Sequence, residues 1–144
     1  MYYISALILL LSVGASFGQT THATPSHQQI YAATDIAFKH IDRNNDGIIQ
    51  ERELEQAFIH ADANHDGRIS EKEYEMGGSN HAFRQMVFLE MDNDGDGFVD
   101  ESTLLGQYSI MNTNNDLIVS RAEFDKFYTA LIENALQHHG YLLG

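Results

Sequence analysis

Cysteine is absent from the 144 residues, which excludes a disulfide framework, a thiolate zinc site and a cysteine nucleophile. Proline occurs once, as Pro25, within a polar stretch from Gln19 to Gln28 that shows no helical period and reads as a flexible leader. Basic side chains are scarce. Lys and Arg number 8 against 21 Asp and Glu, a formal net charge of -13 that disfavours nucleic acid or an anionic membrane as the main partner and favours cations. Long apolar runs are missing as well: Ile4 to Val13 is shorter than the roughly 18 to 20 apolar residues that span a bilayer. The 43% of hydrophobic residues is nevertheless enough for one ordinary core, in a single domain or two small lobes.

The Ile4 to Val13 block has the character of a secretory signal, with small residues after it and Ser16 and Gly18 placed for cleavage before Gln19. It departs from the usual pattern in that Met1-Tyr2-Tyr3 adds no Lys or Arg to the terminal amine. The expected organisation is a signal peptide over 1–18, the leader over 19–28, a folded domain over 29–138 and a tail over 139–144. The segment Gly140-Tyr141-Leu142-Leu143-Gly144 carries no tetrapeptide for retention in the endoplasmic reticulum, so the expected location is secreted and extracellular.

What the chain does have is clustered acid. Of the 21 carboxylates, 15 fall in four twelve-residue windows, 42–53, 62–73, 92–103 and 112–123, whose starts are offset by 20, 30 and 20 residues, an internal repeat. Each window follows bulky residues one, four and often eight positions upstream: Ile41 and Phe38; Ala61, Phe58 and Leu54; Met91 and Phe88; Met111, Tyr108 and Leu104. That spacing is one helical face, and such a face is core packing. Its register with the acidic windows makes it informative, because the same stripe ends directly before the same kind of loop each time.

Calcium takes six to eight oxygen ligands, which a twelve-residue loop supplies from positions 1, 3, 5, 7, 9 and 12. In the first window Asp42, Asn44 and Asp46 occupy positions 1, 3 and 5, Gly47 makes the turn at 6, and Ile48 offers its backbone carbonyl at 7. Gln50 can act at 9 through water, and Glu53 closes the site with two oxygens. The second window repeats the set with Asp62, Asn64, Asp66, Gly67, the carbonyl of Arg68, Ser70 and Glu73. These two windows resemble the EF-hand calcium-binding superfamily, and the resemblance extends from about Ile30 to Leu131. It implies an all-α fold: an EF-hand helix-loop-helix array with short β-bridges between paired loops.

The third window is the most acidic, with Asp92, Asp94 and Asp96 as candidate ligands and Asp100 at position 9, but Thr103 stands where the bidentate carboxylate belongs. A helix starting at position 10 points Glu101 away from the ion. Weaker calcium binding, or magnesium with retained waters, is expected there. The fourth window keeps Asn114, Asp116 and the closing Glu123, but has neutral Asn112 at position 1 and Leu117 where glycine is usual. A left-handed backbone at a non-glycine residue costs roughly 1–2 kcal/mol. This loop is expected to be metal-free and kept for its pairing segment, Ile118-Val119.

The step from Glu53 to Asp62 leaves room for only one helix, which must leave loop 1 and lead into loop 2, so these two loops are held apart. Between Glu73 and Asp92 there is room for an outgoing helix over Glu71 to Met76, a break at Gly77-Gly78-Ser79-Asn80 and an incoming helix over His81 to Met91. Loops 2 and 3 are thus expected to pair, and loops 1 and 4 with them as a second pair. The last helix is expected from Arg121 to about Leu136, with Phe124, Phe127, Tyr128 and Leu131 inward.

Three functions fit such a chain. The first is an extracellular calcium store, a matrix or biomineral component, or a calcium-stabilised structural module; secreted invertebrate EF-hand proteins of mineralised matrices, such as mollusc shell, are similar in having a signal peptide, acidic loops and no cysteine. An acidic chain of this kind could still attract mineral or matrix components when loaded. The second is a sensor that exposes an apolar groove to a protein partner on loading, with Met76, Met86, Met91 and Met111 available. The third, a metal-dependent enzyme, finds little support: the eight histidines include no His-Glu-x-x-His string, and His138-His139 falls in the tail. The expected protein is therefore not an enzyme.

Overall fold

A computed structural model describes residues 25–76 and 81–143. The expected signal segment, most of the leader and the Gly77-Gly78-Ser79-Asn80 break lie outside the described residues. Among them are six α-helices: α1 (His27–Ile41), α2 (Glu51–Ala61), α3 (Glu71–Glu75), α4 (His81–Met91), α5 (Glu101–Met111) and α6 (Arg121–His139). Four three-residue strands lie between them: β1 (Ile48–Gln50), β2 (Arg68–Ser70), β3 (Phe98–Asp100) and β4 (Ile118–Ser120). No helix among the described residues is long and apolar enough to cross a membrane.

Helix α1 begins two residues inside the expected leader because Ser26 caps it. The Gln29 N–H donates to Ser26 Oγ at 3.3 Å, and the Ser26 N–H donates to Gln29 Oε1 at 2.8 Å, satisfying N–H groups that the first turn leaves without helical partners. The same reciprocal cap, with Ser70 and Glu73 or Ser120 and Glu123, starts α3 and α6.

The strands pair as the spacing argument expects. β1 lies antiparallel to β4 with Ile49 opposite Val119, and β2 antiparallel to β3 with Ile69 opposite Val99. The physical reason is α2, whose 11 residues hold loops 1 and 2 at its two ends, roughly 16 Å apart at 1.5 Å per residue. Helix α5 separates loops 3 and 4 in the same way. The two shared helices pack on each other and run antiparallel, since β1, before α2, meets β4, beyond the far end of α5. One ladder therefore closes each end.

The apolar stripe is core throughout. Phe38, Ile41, Leu54, Phe58, Ala61, Phe88, Met91, Leu104, Tyr108 and Met111 are all buried, as are the four central strand residues. Phe124 is buried against Phe38, with ring centroids 5.3 Å apart and planes at 79°, and against Tyr128 at 4.3 Å. Phe127 is only partly buried. Helix α6 packs on α1 and α4 and runs three residues beyond Leu136. Beyond it Gly140–Leu143 forms a 3-10 turn whose Leu142 and Leu143 pack against the core, so the expected tail is anchored. His138 Nδ1 lies 3.0 Å from Glu90 Oε2 on α4, which ties that end of α6 down.

Candidate metal centre

Each loop begins where an incoming helix runs out. The N–H groups of Asp42, Asp62, Asp92 and Asn112 still donate to the carbonyls of Phe38, Phe58, Phe88 and Tyr108, at 2.8–3.0 Å. The position-1 side chain thus leaves a fixed helix end, and each of the four residues is at most 8% exposed. Two left-handed steps follow. Position 4 has φ of 57° at Asn45, 58° at His65, 70° at Gly95 and 58° at Asn115; position 6 has φ of 83° at Gly47, 86° at Gly67, 86° at Gly97 and 69° at Leu117.

These turns aim backbone N–H groups at the first carboxylate. In loop 1 the Asp46 N–H donates to Asp42 Oδ1 at 3.1 Å and the Gly47 N–H to Asp42 Oδ2 at 2.9 Å. Loop 2 repeats this from Asp66 and Gly67 to Asp62 at 3.1 and 2.8 Å, and loop 3 from Asp96 and Gly97 to Asp92 at 3.2 and 2.9 Å. The third and fifth positions meet in loops 1 and 2, where Asn44 Nδ2 lies 3.0 Å from Asp46 Oδ2 and Asn64 Nδ2 lies 3.0 Å from Asp66 Oδ2. Gln50 Nε2 also reaches Asp46 Oδ2, at 2.7 Å, which brings position 9 to the same place. Ile48 and Arg68, the position-7 residues, open β1 and β2.

The closing glutamates are clasped at both ends of the loop. Glu53 Oε1 accepts from the Arg43 N–H at 3.1 Å, and its Oε2 from the Gln50 N–H at 3.1 Å. Glu73 accepts from the N–H of Asn64 at 3.1 Å and from the N–H and hydroxyl of Ser70 at 2.9 and 2.8 Å. Burial pushes the Glu73 carboxyl up, but the donors from Ser70, Asn64 and Ala63 outweigh it and hold the group below its usual range, ionised at neutral pH.

Loop 3 brings its carboxylates closest. Asp92, Asp94 and Asp96 each offer an oxygen within 4.8 Å of the other two. With bonds of 2.3–2.6 Å, oxygens on opposite sides of one calcium ion lie about 5 Å apart, so the set fits a single cation. Thr103 supplies no closing carboxylate, and Glu101, in the first turn of α5, is exposed.

Loop 4 keeps the backbone of a binding loop with a different interior. Leu117 accepts the left-handed conformation while 79% exposed, and Asn112 Oδ1 is buried without a hydrogen-bond partner. Glu123 accepts from Thr113 N–H and Oγ1 at 3.0 and 2.9 Å, and from Ser120 N–H and Oγ at 2.9 and 2.8 Å. Those donors from Ser120 and Thr113 hold its carboxyl down at about 2.

Ligand spacing does not single out position 4; its signal is the series Asn45, His65, Gly95 and Asn115, residue types that tolerate a left-handed backbone. Nor does it single out Arg121, which bridges Asp35 on α1 and Asp125 at 2.9 Å each.

No curated protein and no solved structure matches the chain significantly. A sequence-family profile described as EF hand matches residues 34–59, 54–76 and 83–102, which take in loops 1 and 2 and most of loop 3. Three such matches, on helix-loop-helix units whose loops pair through short strands and gather acidic side chains, support the EF-hand calcium-binding superfamily for this chain.

Proposed function

We propose that loops 1 and 2 are the principal calcium sites of an extracellular protein, and that calcium serves it as a stored or structural ion. The ligands are Asp42, Asn44, Asp46, the Ile48 carbonyl and Glu53 in loop 1, and Asp62, Asn64, Asp66, the Arg68 carbonyl and Glu73 in loop 2. Carrying this reading is the pair of closing glutamates, each held ready by N–H donors from both ends of its loop. Asp92, Asp94 and Asp96 form a weaker third site, for calcium or for magnesium that keeps part of its water.

The extracellular assignment is supported by the Ile4 to Val13 block and its small-residue cleavage site. Millimolar calcium outside cells would load sites of even modest affinity. A store, matrix or mineral-associated role accords with a formal charge of -13, which two bound ions do not neutralise. A sensor would open an apolar groove on loading; in this structure Met86, Met91 and Met111 are core residues, 0–1% exposed, and of the four only Met76 lies at the surface. Of the 21 acidic side chains 15 fall in the four loop windows, and we read the chain as a binding protein.

Calorimetric titration with calcium tests the assignment. Glu53→Gln and Glu73→Gln should each weaken one site more than roughly a hundredfold, since loss of an outer-shell partner alone costs 10- to 100-fold. Thr103→Glu should strengthen the third site. Four equally tight sites in the parent would reject the ranking, and calcium-dependent binding of an apolar dye would favour the sensor.

A further inference from the structure

Four buried aromatic residues occupy one position, four residues before each loop: Phe38, Phe58, Phe88 and Tyr108. Of these only Tyr108 has a hydroxyl. It donates to the Leu117 carbonyl of its own loop at 2.9 Å and lies 3.4 Å from the Ile49 carbonyl, at the centre of β1 in loop 1. One buried polar atom therefore spans the two loops, in addition to the ladder between β1 and β4.

Loop 4 also closes itself. Thr113 occupies position 2, where the other loops have Arg43, Ala63 and Asn93, and its hydroxyl gives Glu123 a donor that those residues do not give their loops' closing side chains. Protein donors hold both oxygens of Glu123, as they hold both oxygens of Glu53 and Glu73; what loop 4 adds is the second donor from Thr113, its hydroxyl. Arg121, next to β4, reaches Asp35 on α1 and lies over the Phe38 ring, 5.0 Å from its centroid. Loop 4 is thus braced by its own loop, by α1 and by α5.

We propose that loop 4 is a metal-independent template for loop 1, with Tyr108 and Glu123 as the positioning residues. They fix β4, and the ladder and the Tyr108 hydroxyl then preset β1 and the Ile48 carbonyl in binding geometry. Loop 1 loads without waiting for a partner ion. Loops 2 and 3, preceded by Phe58 and Phe88, have no hydroxyl at that position and load as a coupled pair. The inference rests on loop 1 being a calcium site, as proposed above. One atom weighs on the other side: the buried, unpartnered Asn112 Oδ1 is a group that an ion would satisfy.

The test is calcium calorimetry on the full chain with Tyr108→Phe, which gives α5 the side chain of the other three helices. Loop 1 is read in a Glu73→Gln background, and loops 2 and 3 in a Glu53→Gln background. Tyr108→Phe should weaken loop 1 about five- to tenfold, the weight of one hydrogen bond, and leave the other isotherm unchanged. Glu123→Gln should weaken loop 1 with no change in the number of ions bound. An unaltered loop 1 overturns the proposal. So does equal weakening in both backgrounds, which would mark Tyr108 as a general stability residue, and so does loss of an ion in Glu123→Gln, which would make loop 4 a site itself. If Glu53→Gln alone removes no ion, the calcium assignment of loop 1 fails, and the inference with it.

Discussion

Each loop pair has its own two-stranded ladder, and beyond it the two pairs are held together by different means. Pair 1 and 4 is tied by the Tyr108 hydroxyl, the Thr113 hydroxyl on Glu123, the Arg121 bridge to Asp35 and the Phe38–Phe124 edge contact. Across the ladder of pair 2 and 3, Arg68 sits over the Phe98 ring, 4.2 Å from its centroid, and beside it Asp92, Asp94 and Asp96 crowd three carboxylates into one loop. Like charges at that separation repel until a cation arrives. On the proposed reading, pair 1 and 4 is a scaffold that also carries a site, and pair 2 and 3 depends more on its ions.

Chelation should separate the two most sharply. At calcium about a hundredfold above the dissociation constant, bound ion suppresses opening by about 2.7 kcal/mol, roughly a hundredfold in amide exchange. Removing calcium should therefore speed exchange by about that factor for each ion lost, and so by more across β2 and β3, whose loops carry two proposed sites, than across β1 and β4, whose loops carry one. Equal acceleration at both ladders would dissolve the distinction.

A smaller effect probes the strain that pair 1 and 4 tolerates. Leu117 is left-handed at φ 69° with its side chain exposed, so the surrounding bonds hold it there without help from packing. Leu117→Gly removes a penalty of roughly 1–2 kcal/mol but adds unfolded-state entropy of about 0.4–1 kcal/mol. The net expectation is a stabilisation of roughly 0.5–1 kcal/mol in chelator, measured by urea unfolding. A loss of stability would mean that Leu117 contributes contacts beyond its backbone.

Much of this architecture is legible in the chain itself. Both ladders follow from the short step between Glu53 and Asp62, because one helix cannot bring its two ends together. The helical stripes and loop positions are local patterns of the kind that periodicity reports. What distinguishes the pairs is not local. Tyr108 looks like one more core aromatic until the fold places its hydroxyl beside Ile49, 59 residues away. Arg121 meets Asp35 across 86 residues, and His138 meets Glu90 across 48, with no period to announce either contact. Thr113 is nearer to Glu123 in sequence, but ligand spacing says nothing of position 2. The extension of α6 to His139 rests on the same kind of distant contact, which is why the tail reads as loose in sequence and packs in the structure.

The smallest expected effect is in acid, and it isolates Glu123 from the metal altogether. Its carboxyl titrates at about 2 in the folded protein against an ordinary 4.5, so the unfolded chain takes up the proton first as pH falls. The stabilisation is then complete above the unfolded value and is lost as pH drops through the folded one. In chelator, the stability difference between the parent and Glu123→Gln should be constant above about pH 5, shrink below about pH 4.5 and vanish near about pH 2. Glu123 is only partly buried, so solvent screens the carboxylate and the difference should be modest where it is largest. Urea unfolding followed by circular dichroism at stepped pH measures it. A difference already gone at about pH 5 would show that Thr113 and Ser120 do not clasp this carboxylate in solution, and the brace that Thr113 adds to loop 4 would lose its support.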